Sequence, residues 1–260
     1  MIKRILPPFI ISIAAFGIIY LVYTHTNLFL GMERNLLSGY FSIREPEINE
    51  INPYVSNRVR LIGYDEDSIA VIGKWPWQRY VHAGFLDKIE RFSPETVMFD
   101  LIFAKSETIP AYITEKLILD KKTRLEVEET FKSMDREFAE SLSRYDNVYL
   151  DLQLMERSRS ELPESYKKRI SLNEEIIKKH SLPAEKIRSH VVFNSLEPVI
   201  DDFIKNSHPV VINIHEDDDG VVRVFPLYFT YKMSDGSYRN VFTAALSLLK
   251  RFYYIEENNS

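Results

Sequence analysis

The longest uninterrupted apolar pattern of the chain lies at its start. From Ile5 to Met32 no side chain is charged, a run of 28 residues, and a bilayer is crossed by roughly 20 apolar residues in a helix. Phe9 to Tyr23 is almost wholly apolar, with Tyr20 and Tyr23 placed as interface anchors. The run is long for the core of a cleaved signal peptide, and no A-x-A site follows it, so it reads as an uncleaved membrane anchor. Lys3 and Arg4 precede it, which predicts a cytoplasmic tip and an extracytoplasmic location for everything after residue 33. Next, "LFLGMERNLLSGYFSI" repeats apolar residues at Phe29, Met32, Leu36, Tyr40 and Ile43. That spacing predicts a helix continuing out of the bilayer, weakened by Gly31 and Gly39 and ended by Pro46 and Pro53.

Beyond residue 53 the pattern alternates between short apolar runs and helical stripes. "RVRLIGY" predicts a strand, followed by an acidic turn at Asp65–Asp67. "RYVHAGFLDKIERF" places Val81, Phe85, Ile89 and Phe92 on one helical face, and "ETVMFDLIF" reads as a buried strand. Strand, helix and strand in that order predict a parallel βαβ unit. A long helix with Val127, Phe131, Met134, Phe138 and Leu142 in a stripe comes next, and then the strand "NVYLDLQL". Residues 156–190 are highly charged and contain Pro163 and Pro183, so they read as a helical excursion on the surface. "HPVVINI" and "GVVRVFPLYFTY" flank "HEDDDG" as a hairpin, and "NVFTAALSLLKRF" predicts a closing helix. The expected fold is α/β, a mixed sheet with flanking helices, preceded by one N-terminal transmembrane helix. Its parts are a cytoplasmic tip and span at 1–32, a juxtamembrane helix and linker at 33–53, and an extracytoplasmic domain at 54–260.

Composition narrows the function classes. A hydrophobic content of 45% and an aromatic content of 13% fit a packed domain and exclude a disordered chain. The net charge of -5 supplies no basic field for nucleic acid. Without cysteine the chain has no disulfide, no thiolate chemistry and no cysteine zinc site. The phosphate-binding glycine loops and the H-E-x-x-H zinc motif are also missing from the sequence. "HEDDDG" has a glycine at the sixth place of a calcium loop. His215 stands where its first acid belongs, and Pro226 where its bidentate glutamate belongs, so a turn is the better reading.

Candidate chemistry gathers between Tyr64 and Phe103. Asp65 either caps a short helix or, with Asp67, contributes to a ligand site. Trp75-Pro76-Trp77 holds both tryptophans of the chain, which either pack in the core or stack on a ligand. His82 is open to the same alternatives. Asp100 lies within "VMFDLIF", where a buried carboxylate requires a partner, and Arg79, His82 and the indoles are the expected ones. Asp65 and Asp100 both fall toward carboxyl ends of predicted parallel strands, where ligands bind in open α/β sheets.

These segments resemble the second type of CHASE domain, the cyclase/histidine-kinase-associated sensory extracellular module. The resemblance runs through "LIGYDEDSIAVIGKWPWQRYVHAGFLDKI", "VMFDLIF", "NVYLDL", "DDDGVVRVFPLYF" and "FTAALSLL", covering most of residues 33–250. It implies an extracytoplasmic sensor of membrane receptors, commonly adenylate or guanylate cyclases, histidine kinases or serine/threonine kinases. It implies neither a catalytic residue nor a cofactor or metal. Asp65, Asp67, Trp75, Trp77, Arg79, His82 and Asp100 are then a motif core or ligand-binding residues, and the signal expected is a small molecule or a protein. Such receptors return to the membrane and carry a cytoplasmic effector, which is expected outside these 260 residues. A homo-oligomer formed through the membrane-proximal helix is the further expectation. The rival readings are a metal-dependent hydrolase using Asp65, Asp67 and Asp100, and a structural envelope component.

Overall fold

The computed structural model describes residues 2–25, 28–44, 58–109, 121–185, 188–217 and 220–253. The chain divides into two compact units, residues 1–63 with 216–223, and residues 64–215 with 224–260.

The first unit contains helices α1 (Ile2–His25) and α2 (Leu28–Arg44). Along α1 the large apolar side chains from Phe9 to Tyr23 are exposed around the helix. Among the described residues no helix is long and apolar enough to cross a membrane. The expected span is therefore not met there, because Phe9–Tyr23 alone falls short of the roughly 20 residues a bilayer requires. On α2, Arg34 and Ser38 lie one turn apart and face the 217–223 turn. Arg34 Nε stands 3.7 Å from Asp217 Oδ2, and Arg223 donates to Ser38 Oγ at 3.0 Å. Met32, Leu36 and Tyr40 lie on the opposite side of the helix and are exposed. The turn itself closes through Gly220, which donates to the Asp217 carbonyl at 2.8 Å and has a φ of +77°.

The second unit runs α3 (Glu66–Ile72), α4 (Arg79–Ile89), β1 (Val97–Phe99), α5 (Lys121–Ser143), β2 (Val148–Met155), α6 (Glu164–Lys179), β3 (Ser181–Pro183), β4 (Val192–Phe193), β5 (Ser195–Glu197), α7 (Asp201–Lys205), β6 (His208–Val211), β7 (Tyr228–Lys232), β8 (Tyr238–Phe242) and α8 (Ala244–Tyr253). The α/β class is as expected, but the strands form two sheets in place of one. In the first, β2 pairs in parallel with β1 and β6, and antiparallel with β5. The second has the order β3-β8-β7-β4. The long apolar run of β2 is buried on both faces, as befits a strand with neighbours on both sides. Phe99, Phe138, Leu86, Leu142 and Leu150 meet in the core, with α4 packed along α5.

Several expectations are corrected. Residues 58–64 form no strand, and Leu61 is 98% exposed. The parallel unit is formed one element later, by β1, α5 and β2, so β1 draws its partner from the chain after it. On α4 the buried face is His82, Ala83 and Leu86, one position away from the predicted stripe, and Phe92 is exposed. The charged region 156–190 is no surface excursion. Ile170 and Ile177 of α6 are buried, and Asn173 clasps the backbone of Val199 with bonds of 2.9 and 3.1 Å. Buried Glu174 is satisfied by Tyr231 at 2.8 Å and Arg159 at 2.9 Å, so a charged sequence conceals a core helix. The expected hairpin around "HEDDDG" does not form among the described residues. Val210 and Val211 of β6 are buried beside β2, while β7 pairs with β8. Residues 240–242, read as the start of the closing helix, belong to β8, and the true hairpin turns at Asp235-Gly236, where Gly236 has a φ of +83°.

Truncating Phe138, which is fully buried among Phe99, Phe103 and Phe203, removes the centre of this packing. Phe138→Ala is expected to cost about 3–5 kcal/mol, read as a lower urea midpoint. An unchanged midpoint would place this side chain outside the cooperative core.

Candidate ligand-binding cleft

The cleft grows from a capped turn. Asp65 accepts from the Ser68 amide at 2.9 Å and its hydroxyl at 2.6 Å, which fixes the start of α3. These bonds hold the exposed Asp65 carboxyl below its ordinary value. Asp67 sits exposed in the first turn of the same helix. The helix ends at Gly73, whose φ of +113° suits a residue without Cβ. The Gly73 carbonyl accepts from the Trp77 indole at 2.7 Å, folding the Trp75-Pro76-Trp77 segment back on itself through a cis Trp75–Pro76 bond. Tyr64 fills the angle, with ring centroids 5.3 Å from Trp75 and 4.8 Å from Trp77. Trp77 is buried and Trp75 is 37% exposed, so Trp77 packs the turn and Trp75 reaches solvent.

Arg79 opens α4 and connects it to two other segments. Its guanidinium donates to the Lys105 carbonyl at 3.0 Å and lies 4.7 Å from the Phe103 ring centre. Glu107 approaches it at 3.8 Å and Asp135 of α5 at 3.6 Å. Glu107 also accepts from the Arg79 amide at 3.2 Å, and its own amide donates to Asp135 at 3.0 Å. Burial pushes both carboxyls up, and Arg79 opposes that shift. The same burial pushes the guanidinium down while the acids raise it. Arg79 Nε and Asp135 Oδ1 face each other without a hydrogen bond.

His82 lies one turn further along α4, buried among Trp75, Phe99, Phe103 and Phe138. Burial holds its pKa down at about 4, the Arg79 charge adds to this, and a bond to the Trp77 backbone opposes it. His82 is therefore a neutral packing residue at physiological pH. Trp75, Trp77, Arg79 and His82 line one side of a cleft of about 350 Å³, and the run Leu101–Thr108 lines the other. A wider groove of about 660 Å³ at Arg144–Asn147 contains none of the motif residues.

Asp100 differs from expectation. It is exposed, and Arg79 and Trp77 bond elsewhere. The strand ends at Phe99, and alternation turns Asp100 to the sheet face away from α4. The residue that sequence reasoning missed is Asp151, fully buried in β2, with neither oxygen in a hydrogen bond of regular geometry. Burial first, and the Asp100 carboxyl second, push it up to about 8. The signal was present in "NVYLDLQL", an acid inside an apolar strand. The metal-hydrolase reading loses its site. Asp65 is engaged as a cap and Asp67 is exposed on α3. Among the described residues no group of three or more His, Cys, Asp or Glu could hold a metal ion.

Removing Arg79 leaves two half-buried carboxyls without their counter-charge. Arg79→Ala is expected to cost about 1–3 kcal/mol, measured by urea unfolding, while Lys105→Ala, which keeps the backbone carbonyl, should leave the midpoint in place. Equal effects of the two variants would contradict the network.

No curated protein and no solved structure matches the chain. The family model described as "CHASE2 domain" matches residues 13–259, a span that holds the capped turn, both indoles, Arg79, His82 and both sheets. The chain belongs to the CHASE2 family, the sensory domains of signalling proteins.

Proposed function

We propose that the chain is the extracytoplasmic sensory module of a membrane-bound signalling receptor, with an adenylate or guanylate cyclase or a sensor kinase as effector. The observation that carries this reading is family membership over residues 13–259, coupled to a cleft built from the motif residues. A volume of about 350 Å³ lies within the range of small-molecule sites. Exposed Trp75 offers a stacking surface there. A signal bound at this cleft acts only through different affinities for two arrangements of the module.

Anchoring at the cell inner membrane through the apolar N-terminal segment, with the second unit in the periplasm, completes the proposal. Its support is the charge-free run from Ile5 to Met32 and the exposure of apolar side chains around α1. The exposed Met32, Leu36 and Tyr40 of α2 then meet the same stripe of a second copy, and movement of the helices carries the signal.

Reporter fusions after Ser260 test the topology, and a reporter active only in the cytoplasm would overturn it. In the same membranes, the cysteine-free chain permits single substitutions along α2. Met32→Cys, Leu36→Cys and Tyr40→Cys should yield disulfide-linked dimers, whereas Arg34→Cys and Ser38→Cys should not. Uniform cross-linking at all five positions would contradict a specific helix pair.

A further inference from the structure

The register of the first sheet sets two carboxyl groups side by side. Val97, Met98 and Phe99 of β1 pair with Val148, Tyr149 and Leu150 of β2. The next step of that parallel register sets Asp100 beside Asp151. Both side chains leave the sheet on the face opposite Phe99 and Leu150. Asp100 is exposed, whereas Asp151 is fully buried and neither of its oxygens has a hydrogen bond of regular geometry.

Among the described residues the surroundings supply no counter-charge. On β6 the register partner of Asp151 is Val210. Its neighbours along the same face of β2 are Tyr149 and Gln153. His208 stacks on Tyr149, and Arg251 and Asp146 act on Tyr149. Among the described residues, Asp100 is the ionisable group that acts on Asp151. An ionised carboxylate is costly to bury alone, and two adjacent carboxyls do not both ionise readily.

We propose that Asp100 and Asp151 form a proton-binding site, in which a buried and an exposed carboxyl share one proton and the module responds to external acidity. The inference rests on the sensory reading above and names a second signal for it. When the proton leaves to water past Asp100, Asp151 becomes a buried anion beside another. Repulsion then acts on the end of β1, and the chain runs from Asp100 directly into Leu101–Thr108, the wall of the cleft. The state of the pair is thus transmitted to the ligand site through a single segment.

Asp151 has a folded pKa of about 8, above its unfolded value of 3.8. Its contribution to stability is complete below the unfolded value and is lost as pH rises through the folded one. His82 and His180, both held down at about 4, act with the opposite sign between about pH 4 and 6.5 and cancel when variants are compared.

The test uses the whole chain in detergent micelles, following melting temperature and tryptophan fluorescence from pH 4 to pH 9. Both tryptophans report on the cleft. Asp151→Asn mimics the protonated acid and should melt above the native chain, with a gap that opens between about pH 4 and 8 at roughly 3–5 °C per pH unit. The native fluorescence transition, centred near pH 8, should vanish in Asp151→Asn. In Asp100→Asn it should move to lower pH, which keeps the test available if Asp151→Asn does not fold. Parallel curves for native and variant chains would overturn the proton site and leave the sensory reading standing. So would stabilisation of the native chain, but not of Asp151→Asn, by millimolar magnesium or calcium at fixed pH, because the pair would then hold a metal ion.

Discussion

The guanidinium of Arg79 joins three parts of the chain at the mouth of the cleft, above the core in which they pack. It starts α4, holds the Lys105 carbonyl, and stands between Glu107 and Asp135 of α5. A half-buried cation between two acids contributes little net stability, but it specifies an arrangement, because removing one member strands the others. Here the arrangement specified is the cleft. Leu101–Thr108 has no regular secondary structure, and its links to the helices are Arg79, Arg169 of α6 on the Ala104 carbonyl at 2.6 Å, and buried Phe103 against Phe138.

Around that clamp the aromatic residues perform a division of labour. Phe99, Phe103, Phe138 and Phe203 pack edge to face at centroid distances of 5.0–6.1 Å and make the floor rigid. His82 belongs to that floor by burial and by its depressed pKa, so it brings no charge to the site near neutrality. Tyr64, Trp75 and Trp77 form the rim. Trp75 is the most exposed of these three rings, and it borders the cleft.

The sequence made the family and the W-P-W-x-R-x-x-H segment legible, because a capped turn, a glycine of positive φ and a helix start are local features. Long-range features were harder to read. The strand expected at Arg58–Tyr64 had the right apolar composition but no partner, since β1 pairs with β2 on the far side of α5. Helix α6 hid its core face behind lysines and glutamates, and Glu174 finds its partners on Tyr231 and Arg159, distant in sequence. Asp100 was assigned to the aromatic side because sequence alone does not fix which face of a strand looks inward. A one-residue change of phase moves every side chain to the other face. The same ambiguity concealed Asp151, whose importance depends on the register between two strands.

The central claim is that Arg79 holds the Leu101–Thr108 wall in place and so defines the site. Amide hydrogen exchange measures this directly in the native chain and in Arg79→Met, which keeps an apolar stem but removes the charge and donors. Exchange across residues 101–109 should accelerate by at least about tenfold, corresponding to about 1.4 kcal/mol of local opening, while α6 remains protected. Unchanged protection of residues 101–109, or a uniform loss across both units, would contradict the account.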